Sequence, residues 1–232
     1  MISEYAESLA GRLSFDRSLS QCVRQEVEDH LREAVAADAS GDGLEAERRA
    51  IAKFGDPQII AAQIAAVALA RQARKIGVTI LLVIAGVFLA MKIRIGWYEL
   101  TQWALCENAR ALSEAVSLID RSAFWFALVS AVAGWAYIGS RRTPASFQSS
   151  YQRQLYAFLL LCTLAAAGIA ACVVCDGVLT GLRLSGWEVS VDFLIPIVSM
   201  LLEIVCAAVL VYHICRTAGR IALASHAFRR KA

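Results

Sequence analysis

The chain has 232 residues, 58% hydrophobic and 19% charged, with a mean hydropathy of +0.55. Soluble domains average about 45–50% apolar and about 25% charged residues, so this excess excludes an ordinary water-soluble enzyme and excludes disorder. The net charge of +3 hides a division: residues 1–75 carry 10 basic and 12 acidic side chains, and residues 76–232 carry 13 basic and 8 acidic ones.

The first 75 residues are polar and helical in pattern. Tyr5, Leu9 and Leu13 recur every fourth residue, and Cys22, Val23, Val27, Leu31 and Val35 form a second stripe. Leu44, Ile51 and Phe54 form a third, and Ile60, Ile64 and Val67 a fourth. Apolar residues at three- and four-residue spacing mark one face of an amphipathic helix. Asp16, Ser18 and Ser20 offer N-caps to the second helix, and Gly41-Asp42-Gly43 breaks the chain after it. Gly55-Asp56-Pro57 places a C′ glycine, an N-cap and a first-turn proline in succession, a stop and restart within three residues. From Gln58 to Lys75 no breaker follows, so the fourth helix is expected to continue into the next, apolar segment. Four short helices bury only a small core, so this module is expected to lean on the rest of the chain or on a partner.

Two stretches carry a resemblance. Arg24-Gln25-Glu26-Val27-Glu28-Asp29-His30-Leu31-Arg32-Glu33-Ala34 and Glu45-Ala46-Glu47-Arg48-Arg49-Ala50-Ile51-Ala52-Lys53-Phe54-Gly55-Asp56-Pro57 resemble the HAAS or permease-prefix type of domain. The shared pattern is an E-x-x-x-H-L helix, a glycine-containing turn, and an alanine-rich helix ending in Gly-Asp-Pro. The resemblance covers roughly residues 1–70. It implies a small cytoplasmic helical module fused to membrane helices in a bacterial protein. Such modules are associated with regulatory operons, often beside PadR-like regulators, and some precede FtsX-like permease domains. A proline often opens the second helix in that group, whereas Phe15-Asp16-Arg17-Ser18 stands here. The longest outer segment, Lys92 to Ser122, is too short for the large extracellular domain of a full permease.

Four apolar runs follow, expected as membrane spans at about 76–97, 123–139, 155–175 and 193–215. A hydrocarbon core about 30 Å thick needs about 20 apolar residues of helix. The first run reaches that length only if Lys92 and Arg94 snorkel to the headgroups. Arg71, Arg74, Lys75, Arg141, Arg142, Arg153, Arg216, Arg220, Arg229, Arg230 and Lys231 fall on one side of the spans, against Lys92, Arg94, Arg110, Arg121 and Arg183 on the other. The positive-inside rule then puts both termini in the cytoplasm. Trp97, Tyr98, Trp103, Trp125 and Trp187 sit near span ends, where aromatic belts belong. Ala127, Ala131 and Gly134, with Ala166, Ala167, Ala170 and Ala171, offer the small surfaces on which membrane helices pack. The fold expected is all-α: a helical module over residues 1–70 and a four-helix transmembrane domain over residues 71–232.

Seven cysteines, an odd number, and no early signal peptide argue against a secreted disulfide scaffold. Glu26, His30 and Glu33 share one helical face; their first reading is a partly buried helix position with ion-pair neighbours, their functional reading is a face that binds a protein partner, and a metal or pH-sensing site is a further alternative. Cys172-Val173-Val174-Cys175 has redox spacing, although cysteine also serves as a small hydrophobe. Glu203 is the one acid inside an expected span, and an intramembrane carboxylate marks function by default. Its expected partners are Ser130, Thr163 or a backbone carbonyl. Leu105, Leu112, Val116 and Ile119 form an apolar stripe expected to lie on the membrane or cap the bundle. The basic end Arg229-Arg230-Lys231 reads as a topology determinant. No phosphate-loop, nucleophile-elbow, metal-ligand or nucleic-acid-binding pattern occurs.

These features lead to the expectation of a non-enzymatic, multi-pass regulator of a bacterial inner membrane. It needs no cofactor, contacts the lipid bilayer and a cytoplasmic protein partner, and leaves self-association open. A small transporter or permease subunit using Glu203, and a thiol redox protein using Cys172 and Cys175, are the alternatives.

Overall fold

The computed structural model describes residues 1–38, 43–101, 110–140, 147–184 and 193–229. Among them every regular element is helical and no strand occurs: α1 (Ile2–Arg12), α2 (Arg17–Ala36), α3 (Gly43–Phe54), α4 (Pro57–Leu100), α5 (Arg110–Gly139), α6 (Ser149–Leu184) and α7 (Leu194–Arg229). Gly41, Asp42, Trp103, Leu105, Cys106, Arg141, Arg142, Trp187, Arg230 and Lys231 lie outside the described residues.

Local chemistry places the helix ends. Asp16 takes an extended backbone (φ −135°, ψ 101°), and its side chain accepts a hydrogen bond from the Leu19 amide at 3.4 Å, the N-cap of α2. Gly55 ends α3 with φ +107°, a conformation that side chains resist. Asp56 then accepts from the Gln58 amide at 2.7 Å, and α4 begins at Pro57. The stop and restart expected from Gly55-Asp56-Pro57 is therefore present.

The chain divides into two compact units. The first holds Met1–Ala73 with Arg142–Leu155 and Arg216–Ala232; the second holds Arg74–Arg141 and Tyr156–Cys215. This differs from a division of 1–70 against 71–232. The reason lies in helix length: α6 and α7 run beyond their apolar runs, and Ser149–Leu155 and Arg216–Arg229 belong with the N-terminal helices.

In the first unit α1 packs on α2, and α2 on α3. Tyr5, Leu9 and Leu13 are buried, as are Val23, Val27 and Leu31, so the first stripe and the middle of the second form the core, while Cys22 is exposed and Val35 half-buried. The Tyr5 ring meets Phe54 edge-on at 5.9 Å, and its hydroxyl donates to the Gly55 carbonyl at 2.8 Å. Burial, and then the negative charge of Asp56, push the Tyr5 phenol above its ordinary pKa. The third and fourth stripes are corrected in part, since Ile51, Phe54, Ile60 and Ile64 are half-buried. Leu44 and Val67 are exposed, and the buried positions are Ala46 in α3 and Ala61, Ala65, Ala66, Leu69 and Ala70 in α4. Alanine wins this face because it allows close backbone approach: the Phe147 amide donates to the Ala62 carbonyl at 3.0 Å. Arg220 ties this unit together, reaching Asp16 at 3.1 Å and the Gln72 side-chain oxygen at 3.0 Å. The Gln72 amide nitrogen in turn donates to Thr217 at 2.9 Å.

The second unit is apolar on both its outer and inner faces. Leu82, Leu89, Val129, Leu160, Val174 and Leu201 are exposed, while Ile80, Val87, Phe158 and Leu210 turn inward together with small residues and a few polar ones. Four helices, α4 to α7, are long and apolar enough to cross a membrane, and the chain is a multi-pass membrane protein by that measure. Helices α5 and α6 approach closely. A Cβ added at Gly168 would lie 2.9 Å from the Ala123 carbonyl oxygen and 2.9 Å from the Ala127 Cβ. Ala127, Ala131 and Gly134 are buried as expected, but the buried face of α6 carries Cys162, Ala165, Gly168 and Cys172 in place of Ala167 and Ala170, which are exposed. The stripe expected to lie on the membrane or cap the bundle begins outside the described residues, at Leu105, and its remainder falls in α5. Arg110 to Ser122 is the opening of α5, with Leu112 and Ile119 exposed and Ser113 and Asp120 buried.

Candidate functional site

The inward faces of the second unit turn polar at corresponding stretches. In α4 the buried residues Ile76, Ile80, Ile84, Val87 and Ala90 recur at helical spacing, and Arg94 and Tyr98 continue the same face. In α6, Cys162, Ala165, Ile169 and Cys172 are followed by Asp176 and Thr180. In α7 the face carries Ser199 and Glu203 before Leu210. In α5 Asp120 precedes Ala127 and Ala131.

These side chains converge. The Arg94 guanidinium, 2% exposed, is in ion-pair contact with Asp176 through Nη2. Through Nη1 it donates to Glu203 Oε2 at 3.2 Å. Glu203 is 0% and Asp176 4% exposed. A guanidinium presents several donors in a rigid planar fork, which suits two carboxyls at once. Isolated charges in an apolar interior are prohibitively unfavourable, and mutual pairing is what permits these three to be buried. Around them, the Tyr98 hydroxyl and Thr180 Oγ1 lie 3.1 Å apart, and Arg183 stacks on the Tyr98 ring at 4.0 Å from its centroid. Ser199 donates to the Ala90 carbonyl at 2.9 Å, a further link between α4 and α7. Asp120 is buried, its carbonyl accepts from the Cys172 thiol at 3.4 Å, and its carboxyl Oδ1 has no hydrogen-bond partner. Glu203 Oε1 is likewise buried and without one.

Two expectations change here. Glu203 pairs with Arg94, and Thr163 instead donates to the Leu160 carbonyl of its own helix. Arg94 does not snorkel: it is turned inward between the exposed Ile93 and Ile95, while Lys92 stays outside with its Nζ 5.6 Å from the centre of the Phe88 ring. Asp176, one residue past the third apolar run, and Asp120, three residues before the second, also face the interior. The signal for all of them is periodicity. Arg94 lies seven residues after Val87 and four after Ala90, and Asp176 four after Cys172. A charge on the extended inner stripe of a membrane helix is a charge with a partner to find.

Of the remaining candidates, the Cys172–Cys175 pair borders this cluster through Asp120, and Glu26, His30 and Glu33 lie in the other unit. Cys172 and Cys175 are free thiols three residues apart on α6, the first buried and the second partly so. Glu26, His30 and Glu33 lie on α2 of the first unit, lining a shallow groove with Cys22, Gln25 and Asp29. His30 Nδ1 is 3.7 Å from Glu33 Oε2, and both side chains are largely exposed. Beside them Glu28 accepts from Arg24 at 3.3 Å and from Arg32 at 3.0 Å. The hydrogen bond from Arg24, with Arg32 alongside, holds its carboxyl below the usual carboxylate range. Among the described residues no three His, Cys, Asp or Glu side chains converge as a metal ion requires.

Comparison of the chain with protein families, with curated proteins and with solved structures finds no match.

Proposed function

We propose that this chain is a non-catalytic regulatory or signalling protein of a bacterial inner membrane. In this reading both termini are cytoplasmic, and the N-terminal helices bind a protein partner such as a transcription regulator, a sigma factor or a transport component. One observation carries the proposal: α4, α6 and α7 each contribute residues to both compact units. A helix transmits displacement along its hydrogen-bonded length, so a change among the membrane-type helices has a covalent route to the partner-binding helices. The resemblance of residues 1–70 to a HAAS or permease-prefix domain supports the same reading, as does the exposure of Glu26, His30 and Glu33 on α2.

Cys22, exposed in the α2 groove, provides the test. A thiol cross-linker at Cys22 of the full-length protein in its native membrane should trap one defined cytoplasmic protein. Reversing charge with Glu26→Lys and Glu33→Lys should remove that adduct. An adduct equally abundant in the reversed variant would refute partner binding through this face.

A second reading, a small transporter or permease subunit using Glu203, is favoured by the Arg94 contact, since an ionisable carboxyl in an apolar bundle needs a partner charge. In proteoliposomes Glu203→Gln should abolish a proton- or ion-dependent flux, and an unaffected flux would end this reading.

A further inference from the structure

The charges around Arg94 do not balance. The charged and titratable groups around Glu203 are Arg94 from α4, Asp120 from α5, Asp176 from α6 and Cys206 from α7 itself, and around these partners stand Tyr98 beside Arg94, Cys172 on Asp120, and Arg183 on the Tyr98 ring. Arg94 alone touches two carboxyls. Counting Asp120 and the more distant Arg183 as well, three carboxyls face two guanidinium groups, one positive charge short. An unbalanced charge in an apolar bundle is expensive enough that the cluster must acquire a counter-charge. A second observation is independent of the count. Glu203 Oε1 is wholly buried and has no hydrogen-bond partner, an acceptor left without a hydrogen.

We propose that this cluster is a proton-binding site: one proton, held between the carboxyls of Asp176 and Glu203 beside the Arg94 guanidinium, completes it. Uptake from the aqueous phase turns one of the two carboxylates into a carboxylic acid. Its O–H donates to the other carboxylate, and Arg94 remains paired throughout. A metal cation fits less well, because no three metal-ligating side chains converge among the described residues. The site is a property of the resting bundle, and it stands whether or not the protein carries a flux or binds a partner through α2.

Infrared spectroscopy of the full-length protein in lipid nanodiscs tests it. At neutral pH the wild type should show the carbonyl band of a protonated carboxylic acid. Glu203→Gln should lose one such band, and Asp176→Asn should lose the same one, because in either variant the remaining carboxyl ionises against Arg94. Two variants guard against one that does not fold. On a jump to alkaline pH the wild type should release one proton more than either variant. Identical bands and identical proton release in all three proteins would overturn the proposal. So would stabilisation of the wild type, but not of Glu203→Gln, by sodium ion at fixed pH, which would make the missing charge a metal cation.

Discussion

Replacing Arg94 by leucine should be the most damaging single change in the second unit, at about 3–5 kcal/mol, the range found when one partner of a buried ion pair is removed. The leucine itself suits an apolar bundle. The loss comes from Asp176 and Glu203, which remain buried with their counter-charge gone. Thermal unfolding of the full chain in nanodiscs reads the effect as a lower Tm. The loss should shrink as pH falls, because protonated carboxyls no longer need the guanidinium. Combining Arg94→Leu with Asp176→Asn and Glu203→Gln should recover much of the stability, since replacing a whole buried ionic group by neutral residues is often neutral or better. Arg94→Lys should fall between, keeping the charge and losing the planar fork. If Arg94→Leu unfolds at the wild-type temperature, the side chain is solvated and the cluster does not exist. The experiment thereby separates an inward Arg94 from a snorkelling one.

The second large effect is expected at Gly168. Any side chain there places its Cβ 2.9 Å from the Ala123 carbonyl oxygen and from the Ala127 Cβ. A backbone oxygen cannot rotate aside, so α5 and α6 must separate. Overpacking of this kind costs about 1–3 kcal/mol, and separation also forfeits contacts along the seam, so Gly168→Ala should reach that range and Gly168→Leu should exceed it. Gly181 on the same helix is the control, since a Cβ added there would meet nothing within 4 Å. Gly181→Ala should be neutral or stabilising by up to about 1 kcal/mol, the usual gain of alanine over glycine in a helix. Equal Tm values for the two alanine variants would show that α5 and α6 do not approach closely at Gly168. Spin-label distances between the helices provide a second readout.

The two predictions rest on parts of the molecule that differ in how far the sequence discloses them. The need for small residues between α5 and α6 is visible in the runs of alanine and glycine, but Gly168 as the contact is not. Any of Ala166, Ala167, Ala170 and Ala171 satisfies the same composition, and the rotation of α6 selects Ala165, Gly168 and Cys172. The cluster was half visible. Glu203 announces itself as an acid within an apolar run. Arg94 and Asp176 stand near the ends of their runs, where a charge reads equally well as a headgroup contact, and they become interior only because α4 and α6 continue as helix to Leu100 and Leu184.

In the N-terminal unit amphipathicity was a better guide, because water separates the two faces of α1 and α2. Tyr5, Leu9 and Leu13 could only turn inward. On α4 the same reasoning chose Ile60, Ile64 and Val67 and missed the alanines at 61, 65, 66 and 70. A continuous apolar helix offers no polar face to reveal its orientation.

By itself, then, the sequence determined what local chemistry controls. Asp16 caps α2, Gly55-Asp56-Pro57 ends one helix and begins another, and four apolar runs make four helices long enough to span a membrane. Hydrogen bonds close within a few residues, and hydropathy is a property of the run, so neither waits on distant partners. The tertiary structure alone decided which faces meet. Arg94 and Glu203 are 109 residues apart in the chain, and their pairing depends on how α4 and α7 are rotated and shifted against each other. In an apolar bundle hydrophobicity does not set that rotation, because lipid and interior are equally apolar. Packing of small residues and the pairing of the buried charges set it instead.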